Sequence, residues 1–391
     1  MTRRYDVAIS GGGPAGSAAA WQAARTGARV VVLDKAEFPR DKPCGDGLTP
    51  RATGYLQKMG LADEIAQFHR INRAMIFSPS QWELSFPRRP GMPDHGHGIS
   101  RRELDTLLLK NAEAAGAEVR QSAEVAGPIV DDDGRVTGVT LKDGEQVLAD
   151  AVIAADGTYS PVKRGLKLNS PYNSYEAIAI RAEMTAKRPD ADSLDIYLKL
   201  RFRGDQLPGY GWVFPLGGHR VNIGLGYVNS YKNWQQINAT RFLGEFLATL
   251  PPEWELPPID ELQKTKALQA WRLPMGFNVW PPWRPGVLFA GDALGAARPV
   301  SGAGISKALQ SGLAAGECAI AALLNGGPQD FTNYERTIQA TWGKEYRRGR
   351  LFHKLAGIPA FTNAGLKVLD TLSNPRLRAR LLFWESTLSG R

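Results

Sequence analysis

The chain has 391 residues, of which 43% are hydrophobic and 22% are charged, and this balance excludes a wholly disordered protein. Its two cysteines, Cys44 and Cys318, exclude a disulfide framework and suit a reducing compartment. No stretch approaches the roughly 18 consecutive apolar residues of a spanning helix, and we find no signal-peptide core. We therefore expect a cytoplasmic protein that is soluble or peripherally attached to a membrane.

The net charge of +9 is concentrated near the C-terminus. Residues 341–391 contain ten Lys and Arg residues against three acidic ones. Such a basic segment fits contact with an anionic membrane, a phosphorylated substrate or a solvated helix surface. No nucleic-acid recognition motif accompanies it, so we expect no nucleic-acid partner.

The first predicted elements form a βαβ unit. Residues 5–10 (YDVAIS) predict a short strand, GGGPAG follows, and an alanine-rich helix extends to about Thr26. A second strand over residues 29–33 ends at Asp34. This order is typical of the opening of a Rossmann-like domain.

Further along, residues 101–115 predict an amphipathic helix, and strands follow at about 119–125, 136–141 and 146–154. Four alternating strands between about 175 and 271 predict an antiparallel sheet in a second layer, interrupted by one helix. The buried-strand pattern returns at 286–290, before a small-residue helix at about 303–324.

The glycine-rich turn has G-x-G-x-x-G spacing at Gly11, Gly13 and Gly16. These glycines permit a tight turn, close approach of a pyrophosphate and close helix–strand contact, and the helix N-terminus offers free N–H groups. Asp34 lies where the acceptor for a ribose 2′-hydroxyl belongs, which disfavours NADP in this loop. NAD and FAD both use this fingerprint, and a glycine-rich turn with a surface aspartate is the plain structural alternative.

Three further segments resemble those of the p-hydroxybenzoate-hydroxylase-like flavoproteins. Residues 154–160 (AADGTYS) resemble their "DG" segment, and residues 286–293 (GVLFAGDA) resemble their "GD" segment, whose aspartate binds the ribityl chain. Arg101, in ISRRELD, matches their arginine near the pyrophosphate. The resemblance implies one bound FAD.

Two more segments resemble the geranylgeranyl reductases within that superfamily. Residues 38–48 (FPRDKPCGDGL) are similar to their Pro-Cys-Gly motif, and residues 209–215 (GYGWVFP) to their Tyr-x-Trp-x-Phe-Pro motif, which lines the prenyl cavity. Residues 291–305 are also similar, but Arg298 and Ala303 stand where asparagine and glutamate are expected. These departures leave the substrate and the electron donor open.

The resemblance implies an α/β fold with a Rossmann-like FAD-binding domain (1–75, 100–170 and 272–330). An antiparallel-sheet substrate domain (76–99 and 171–271) is inserted into it, and a helical segment (331–391) follows. The implied cofactor-binding residues are Gly11, Gly13, Pro14, Ala15, Gly16, Asp34, Lys35, Cys44, Gly45, Arg101, Val125, Asp156, Gly157, Gly291, Asp292, Pro299, Gly302, Gly304 and Ile305.

Cys44 and Gly45 are the implied catalytic residues. Pro43 and Gly45 predict an exposed turn, in which the thiol steers protonation or substrate placement; a small packed cysteine is the alternative. The implied substrate-binding residues are Tyr210, Trp212 and Phe214. Their alternation along a strand places the rings on one face, where they form an apolar wall or plain core.

Together these features predict an FAD-dependent reductase that saturates C=C bonds of a polyprenyl group on a lipid, quinone or diphosphate, by hydride transfer from reduced flavin. A flavin monooxygenase or halogenase is the alternative, and a flavin-containing binding or sensor protein is a third. There is no second G-x-G-x-x-G, so the electrons are expected from NAD(P)H docking transiently at the flavin or from a donor protein. The five histidines lack metal-ligand spacing, and we predict no metal site.

Overall fold

The computed structural model describes residues 4–78, 81–86, 90–168, 175–188, 191–265, 267–325, 327 and 330–372. In chain order, its strands are β1 (Arg4–Ser10), β2 (Val30–Leu33), β3 (Gly47–Leu48), β4 (His69–Ile71), β5 (Arg73–Phe77), β6 (Gln81–Ser85), β7 (Gly96–Gly98), β8 (Glu118–Arg120), β9 (Val125–Val130), β10 (Val136–Leu141), β11 (Gln146–Ala154), β12 (Tyr175–Thr185), β13 (Ser193–Tyr197), β14 (Arg201–Phe202), β15 (Asp205–Gln206), β16 (Gly209–Gly217), β17 (Arg220–Val228), β18 (Leu268–Met275), β19 (Trp283–Arg284) and β20 (Val287–Phe289).

The α-helices are α1 (Pro14–Ala24), α2 (Pro50–Lys58), α3 (Ala62–Ala66), α4 (Arg101–Ala114), α5 (Pro161–Gly165), α6 (Ala239–Leu247), α7 (Ile259–Lys264), α8 (Ile305–Leu324), α9 (Thr332–Ala356) and α10 (Pro359–Thr371). Short 3₁₀ turns occupy Trp234–Gln236, Pro252–Trp254 and Gly291–Ala293.

The first sheet has the strand order β19-β20-β11-β1-β2-β8, with β10 and β9 extending from β11. β1 pairs in parallel with β2 and β11, and β11 pairs in parallel with β20. α1 and α8 pack together, and a Cβ at Gly312 would lie 2.1 Å from the carbonyl oxygen of Ala15. The small residues of α8 therefore allow close contact with α1. The predicted Rossmann-like α/β domain is confirmed.

The second sheet has the order β18-β12-β17-β16-β13-β5-β6. It is antiparallel, as predicted, except where β5 pairs with β13 in parallel. The parallel pair arises because β5 enters from the first domain and not through a hairpin with β13. The sheet also takes in residues 73–75 and 272–275, which the sequence assigned to the first domain, because these residues extend the ladders of β5 and β18.

The two faces of this second sheet have different coverings. Val213 and Ile223 point to one face and pack with Phe246 of α6 in a buried cluster. A Cβ at Gly211 would lie 2.5 Å from the ring of Phe246, so α6 lies directly on the strand. Trp212, on the opposite face of β16, belongs to a different cluster and lines a cavity.

The predicted C-terminal helical segment contains two helices. α9 buries Tyr334, Trp342 and Tyr346 in the core of the first domain. Pro359 begins α10, which is the helix position that tolerates proline best. Within the described ranges, no helix has both the length and the apolar content that crossing a bilayer requires. The basic stretch at 376–384 lies outside the described residues.

Candidate active site

One cavity of about 2640 Å³ extends from the first sheet to the second. With the exception of Gly16, every residue predicted to bind cofactor or substrate lines it. We call the part next to Gly11, Gly13 and Asp292 the dinucleotide end. The part lined by Trp212, Phe214, Ile196, Leu198 and α10 is the apolar end.

The glycine turn brings the N-terminus of α1 directly over the end of β1. Gly11 has a φ of +98°, and a Cβ there would lie 2.6 Å from the carbonyl oxygen of Ala155. A Cβ at Gly16 would lie 1.8 Å from the carbonyl oxygen of Gly11, which explains why Gly16 contacts backbone instead of lining the cavity. No side chain caps the N-terminus of α1, so its N–H groups are available to an anion.

Asp34 is held by the backbone on both oxygens. Its Oδ2 accepts from the Gly12 N–H at 2.7 Å, and its Oδ1 accepts from the Ala36 N–H at 2.9 Å. The carboxylate is 8% exposed and lines the cavity beside Lys35. It therefore stabilises the glycine turn while facing the place where a ribose would lie.

Two guanidinium groups lie beside the glycine turn. Arg101 donates to Asp105 at 2.7 and 2.6 Å, and Arg40 donates to the same carboxylate at 2.7 Å. A Cβ at Gly13 would lie 3.6 Å from Arg40 and 3.8 Å from Arg101. Two guanidinium groups pair with the single carboxylate of Asp105, so one positive charge remains unbalanced. This excess charge beside the glycine turn suits the binding of a diphosphate. Arg40 was not predicted from the sequence, although Arg40 lies in the same FPRDKPCG segment as Cys44.

The loops after β11 and β20 bring Asp156, Gly157 and Asp292 to the dinucleotide end. Lys42 donates to Asp292 Oδ2 at 3.0 Å, and a Cβ at Gly157 would lie 3.8 Å from the same ammonium group. Burial raises the pKa of Asp156, whose Oδ2 accepts from the Ser10 hydroxyl at 2.9 Å. This end of the cavity fits FAD, because it combines an uncapped helix N-terminus, a glycine turn, several cations and the Asp292 carboxylate. Lys42 was also missed from the sequence.

The Cys44–Gly45 turn lies between the two ends of the cavity. A Cβ at Gly45 would be 3.2 Å from the ring of Phe214 and 3.4 Å from Trp212 Nε1, so a side chain there would press on the aromatic rings. Cys44 is half-buried, and the predicted exposed turn is wrong in this respect because the second sheet covers it. Burial raises the pKa of the Cys44 thiol to about 11, so the sulfur carries a proton at neutral pH.

A buried amide joins this turn to the second sheet. Asn222 donates to the Cys44 carbonyl at 2.8 Å and to Asp46 Oδ2 at 2.7 Å, and it accepts from Trp212 Nε1 at 2.8 Å. Neither Asn222 nor Asp46 was predicted from the sequence. The sequence signal that could have identified Asn222 is a polar residue within the apolar strand β17. The structure buries this residue completely.

The predicted aromatic side chains form one wall of the apolar end. The ring centroids of Tyr210 and Trp212 are 6.0 Å apart, and those of Trp212 and Phe214 are 6.1 Å apart. All three line the cavity, so the shared strand face is confirmed. The Tyr210 hydroxyl donates to the Ser301 carbonyl at 2.7 Å, which ties this wall to the loop before α8.

The opposite side of the apolar end was not predicted. Leu366 and Leu369 of α10 line it, and Leu366 packs against the cluster that contains Ile196 and Trp212. α10 is anchored to the second sheet by a hydrogen bond of 2.5 Å from the Ser78 hydroxyl to Asp370. The C-terminal helices therefore complete the cavity.

Arg298 and Ala303, the two departures from the family pattern, both line the cavity in the loop before α8. Arg298 forms an ion pair with Glu345 of α9, and Lys307 lies 3.5 Å from the same carboxylate. Burial lowers the pKa of Lys307 to about 7. The positive charge at position 298 is therefore balanced by a residue from the C-terminal segment.

Comparisons with known proteins give the family. The family model described as an FAD binding domain matches residues 4–341. A menaquinone reductase of Mycobacterium tuberculosis is 36% identical, over 80% of this chain and 76% of the relative. A digeranylgeranylglycerophospholipid reductase of Methanopyrus kandleri is 31% identical, over 88% and 87%.

The fold also matches a solved structure, a geranylgeranyl bacteriochlorophyll reductase-like protein of Thermoplasma acidophilum. The TM-score is 0.81 at 24% identity, with 98% of this chain and 97% of the other covered. The chain therefore belongs to the FAD-binding-domain family and, within it, to the geranylgeranyl reductase family of FAD-dependent oxidoreductases.

Proposed function

We propose that this oxidoreductase saturates C=C bonds in the prenyl chain of a lipid, quinone or diphosphate. The observation that carries the proposal is the division of one cavity into a dinucleotide end and an apolar end, with the Cys44–Gly45 turn between them. An isolated alkene offers no polar handle, so its recognition requires an apolar surface shaped for a chain. Trp212, Phe214 and Leu366 supply such a surface.

Each part of the cavity has a separate task in this proposal. Arg40 and Arg101 bind the diphosphate of FAD, and Asp34 and Asp292 accept hydrogen bonds from its ribose and ribityl hydroxyls. When bound, FAD supplies hydride chemistry. Trp212 and Phe214 exclude water and hold the chain beside the Cys44 thiol, which carries a proton.

The relatives support a prenyl substrate. The name of one relative specifies menaquinone, and the name of the other specifies a digeranylgeranyl glycerophospholipid. What these two molecules share is a long isoprenoid chain on different head groups, which suits an apolar compartment. Both relatives are reductases by name, which favours reduction over the monooxygenase or halogenase alternative. For the electrons we propose NAD(P)H docking transiently at the cavity or a reduced donor protein.

We also propose that α10 contacts an anionic membrane. Its residues Phe361, Ala364, Gly365 and Val368 follow helical spacing and are exposed at the rim of the cavity, next to the buried Leu369. The exposed side chains Arg347, Arg348 and Lys354 of the neighbouring α9 complement anionic lipid. A membrane-embedded prenyl chain would then enter the apolar end beside α10.

Anaerobic product analysis tests the proposed reaction. The FAD-loaded protein is reduced with dithionite and mixed with a geranylgeranyl phospholipid or a menaquinone. The products are extracted, any quinol is reoxidised in air so that only side-chain reduction adds mass, and the product masses are measured by mass spectrometry. We expect a gain of two mass units for each reduced bond. An unchanged mass for every prenyl compound, with the FAD fully reduced, would contradict the proposal.

Vesicle co-sedimentation tests the membrane contact. We expect binding to vesicles that contain phosphatidylglycerol, weaker binding to phosphatidylcholine alone, and loss of binding in Val368→Asp. Leu324→Asp is the matched control, because Leu324 is 81% exposed at the end of α8, outside this surface. Equal binding by both variants and the wild type would exclude α10 as the contact.

A further inference from the structure

Asp46 is a buried carboxyl group on the Cys44–Gly45 turn. Its side chain has 0% exposure, and it lines the cavity. The residue has a φ of +59°, a conformation that Asp and Asn tolerate better than most residues. The structure therefore holds an acidic side chain out of water next to the proposed reaction site.

The hydrogen bonds of Asp46 suit a neutral acid and not a carboxylate. Oδ2 accepts one hydrogen bond, from Asn222 at 2.7 Å. Oδ1 is buried and has no hydrogen-bond partner within the described part of the chain. A buried carboxylate normally has several donors, because leaving a charged oxygen unsatisfied costs several kcal/mol. A proton on Oδ1 removes the charge and with it most of that cost.

The charged groups around Asp46 lead to the same protonation state. Burial and the neighbouring Glu183 raise the pKa of Asp46 well above its usual range, against the opposing effects of Arg181 and Arg101. Both cations already have carboxylate partners. Arg181 donates twice to Asp41, at 2.7 and 2.9 Å, and Arg101 donates twice to Asp105.

Asp46 and Cys44 are directly connected. The Asp46 backbone N–H donates to Cys44 Sγ at 3.3 Å, and Asn222 binds the Cys44 carbonyl together with the Asp46 carboxyl. Because Asn222 also accepts from Trp212, the acid, the thiol and the aromatic wall form one network. The two proton-carrying groups therefore share one short turn that faces the apolar end.

We propose that Asp46, as a carboxylic acid, is the proton source for alkene reduction and acts through the Cys44 thiol. This role rests on the proposed function. Bound reduced flavin would supply a hydride to one alkene carbon and would be oxidised by two electrons. The thiol gives its proton to the other carbon. The Asp46 carboxyl, which has no hydrogen bond to the sulfur in this structure, then turns toward the thiolate and transfers its own proton, and a proton from solvent returns to the carboxylate. The alkene gains two protons and two electrons.

The kinetic test follows the anaerobic return of oxidised-flavin absorbance when a prenyl substrate is added to reduced, FAD-loaded enzyme. The wild-type rate should fall as the pH rises through the pKa of Asp46. Asp46→Asn should lower the rate about 100-fold, the usual contribution of general acid catalysis, and should abolish that pH dependence. An unchanged rate in Asp46→Asn would overturn the proposal.

A double-mutant cycle tests whether the two groups act as one relay. Cys44→Ala and Asp46→Asn should cause similar losses, and the double variant should be no slower than the more damaged single variant. Losses that multiply in the double variant would contradict the relay. Asp46→Asn keeps the side-chain shape and tolerates the left-handed backbone, so we expect it to fold and retain FAD.

An infrared measurement does not depend on activity. At neutral pH, the wild-type-minus-Asp46→Asn difference spectrum should contain the carbonyl stretch of a protonated carboxyl group. Glu183→Gln should shift the loss of this band to lower pH, because Glu183 raises the pKa of Asp46. A carboxylate band in its place would overturn the proposal. If the wild type fails to reduce any prenyl substrate, the proposed function fails, while this spectrum still decides the protonation state.

Discussion

At the dinucleotide end of the cavity, the groups that line it are backbone groups of glycines, two guanidinium groups and several carboxylates. At the apolar end, they are aromatic rings and aliphatic side chains. Most of the polar groups come from loops that follow the parallel strands β1, β2, β11 and β20 of one sheet, and Arg101 comes from the first turn of α4. The apolar groups come from β13, β16 and α10, which are far apart along the chain.

The two ends of the cavity differ in the structural feature on which their shape depends. The dinucleotide end depends on backbone approach, and one added methyl group at a glycine disrupts it. The apolar end depends on the fit between a sheet face and a helix, and so tolerates changes that preserve volume. Substitutions at the two ends should therefore separate cofactor binding from substrate turnover.

Gly16→Ala should have the largest effect at the dinucleotide end. The new Cβ would lie 1.8 Å from the Gly11 carbonyl oxygen, so α1 must shift away from the cradle. Overpacking of this kind costs about 1–3 kcal/mol, which corresponds to about 5- to 150-fold weaker FAD binding. Titration of the apoprotein with FAD measures it. Gly127→Ala, with open space around its Cβ, is the control. Equal affinity in both variants would contradict the assigned cradle.

Trp212→Ala should affect the other end alone. Removal of this ring takes away about 2–3 kcal/mol of apolar contact, which corresponds to about 30–100-fold in kcat/KM for a prenyl substrate. FAD affinity should change less than about threefold, because the cradle lies on the first sheet. Parallel measurement of turnover and FAD titration checks both values. A variant that loses FAD and turnover together would contradict two separable ends.

A matched glycine pair on β17 sharpens that result. A Cβ at Gly224 would lie 2.3 Å from the Trp212 ring and 2.5 Å from the Ile180 carbonyl oxygen, whereas a Cβ at Gly226 would lie 3.8 Å from the same ring and at least 3.4 Å from its other neighbours. We therefore expect Gly224→Ala to raise KM for the prenyl substrate by about tenfold, since an energy of about 1.4 kcal/mol is sufficient. Gly226→Ala should change KM little. Similar KM values would show that the position of Trp212 does not matter.

The smallest expected effect is a change in the free energy of unfolding at acidic pH, caused by His353, and it does not involve ligand binding. Burial lowers the pKa of His353 to about 4; this residue of α9 lies against β12, with its Nε2 3.3 Å from the Glu176 carbonyl oxygen. Between the unfolded value near 6.5 and about 4, the unfolded chain binds a proton that the native state does not. His353 thus contributes stability above pH 6.5 that is lost as the pH falls, by at most about 1.4 kcal/mol per pH unit.

Urea unfolding of wild type and His353→Gln between pH 7 and pH 5 measures this contribution. The difference between their unfolding free energies should shrink as the pH falls. A difference that stays constant over this range would contradict the lowered pKa. His97, whose pKa burial also lowers to about 4, remains in both proteins and cancels in the comparison.

The sequence predicted most of the dinucleotide end because its signals are local. The spacing of Gly11, Gly13 and Gly16 and the position of Asp34 depend on one βαβ unit, whose geometry hardly varies. The aromatic face of β16 was also predictable, since strand alternation sets it.

The missed features depend on contacts between distant segments. Asn222 meets Cys44 and Asp46 across more than 170 residues, and no spacing rule relates them. α10 closes the apolar end because of how the C-terminal helices fold back, which periodicity does not encode. The parallel pairing of β5 with β13 depends likewise on chain topology.

In the proposed reaction, a bound flavin and a prenyl chain meet in one cavity. Its most direct test is to reduce the FAD-loaded protein without oxygen, add a geranylgeranyl compound, and record the flavin absorbance. We expect the oxidised spectrum to return without oxygen, and Trp212→Ala to slow this return. A flavin that stays reduced until oxygen is admitted would show that the prenyl chain does not reach it.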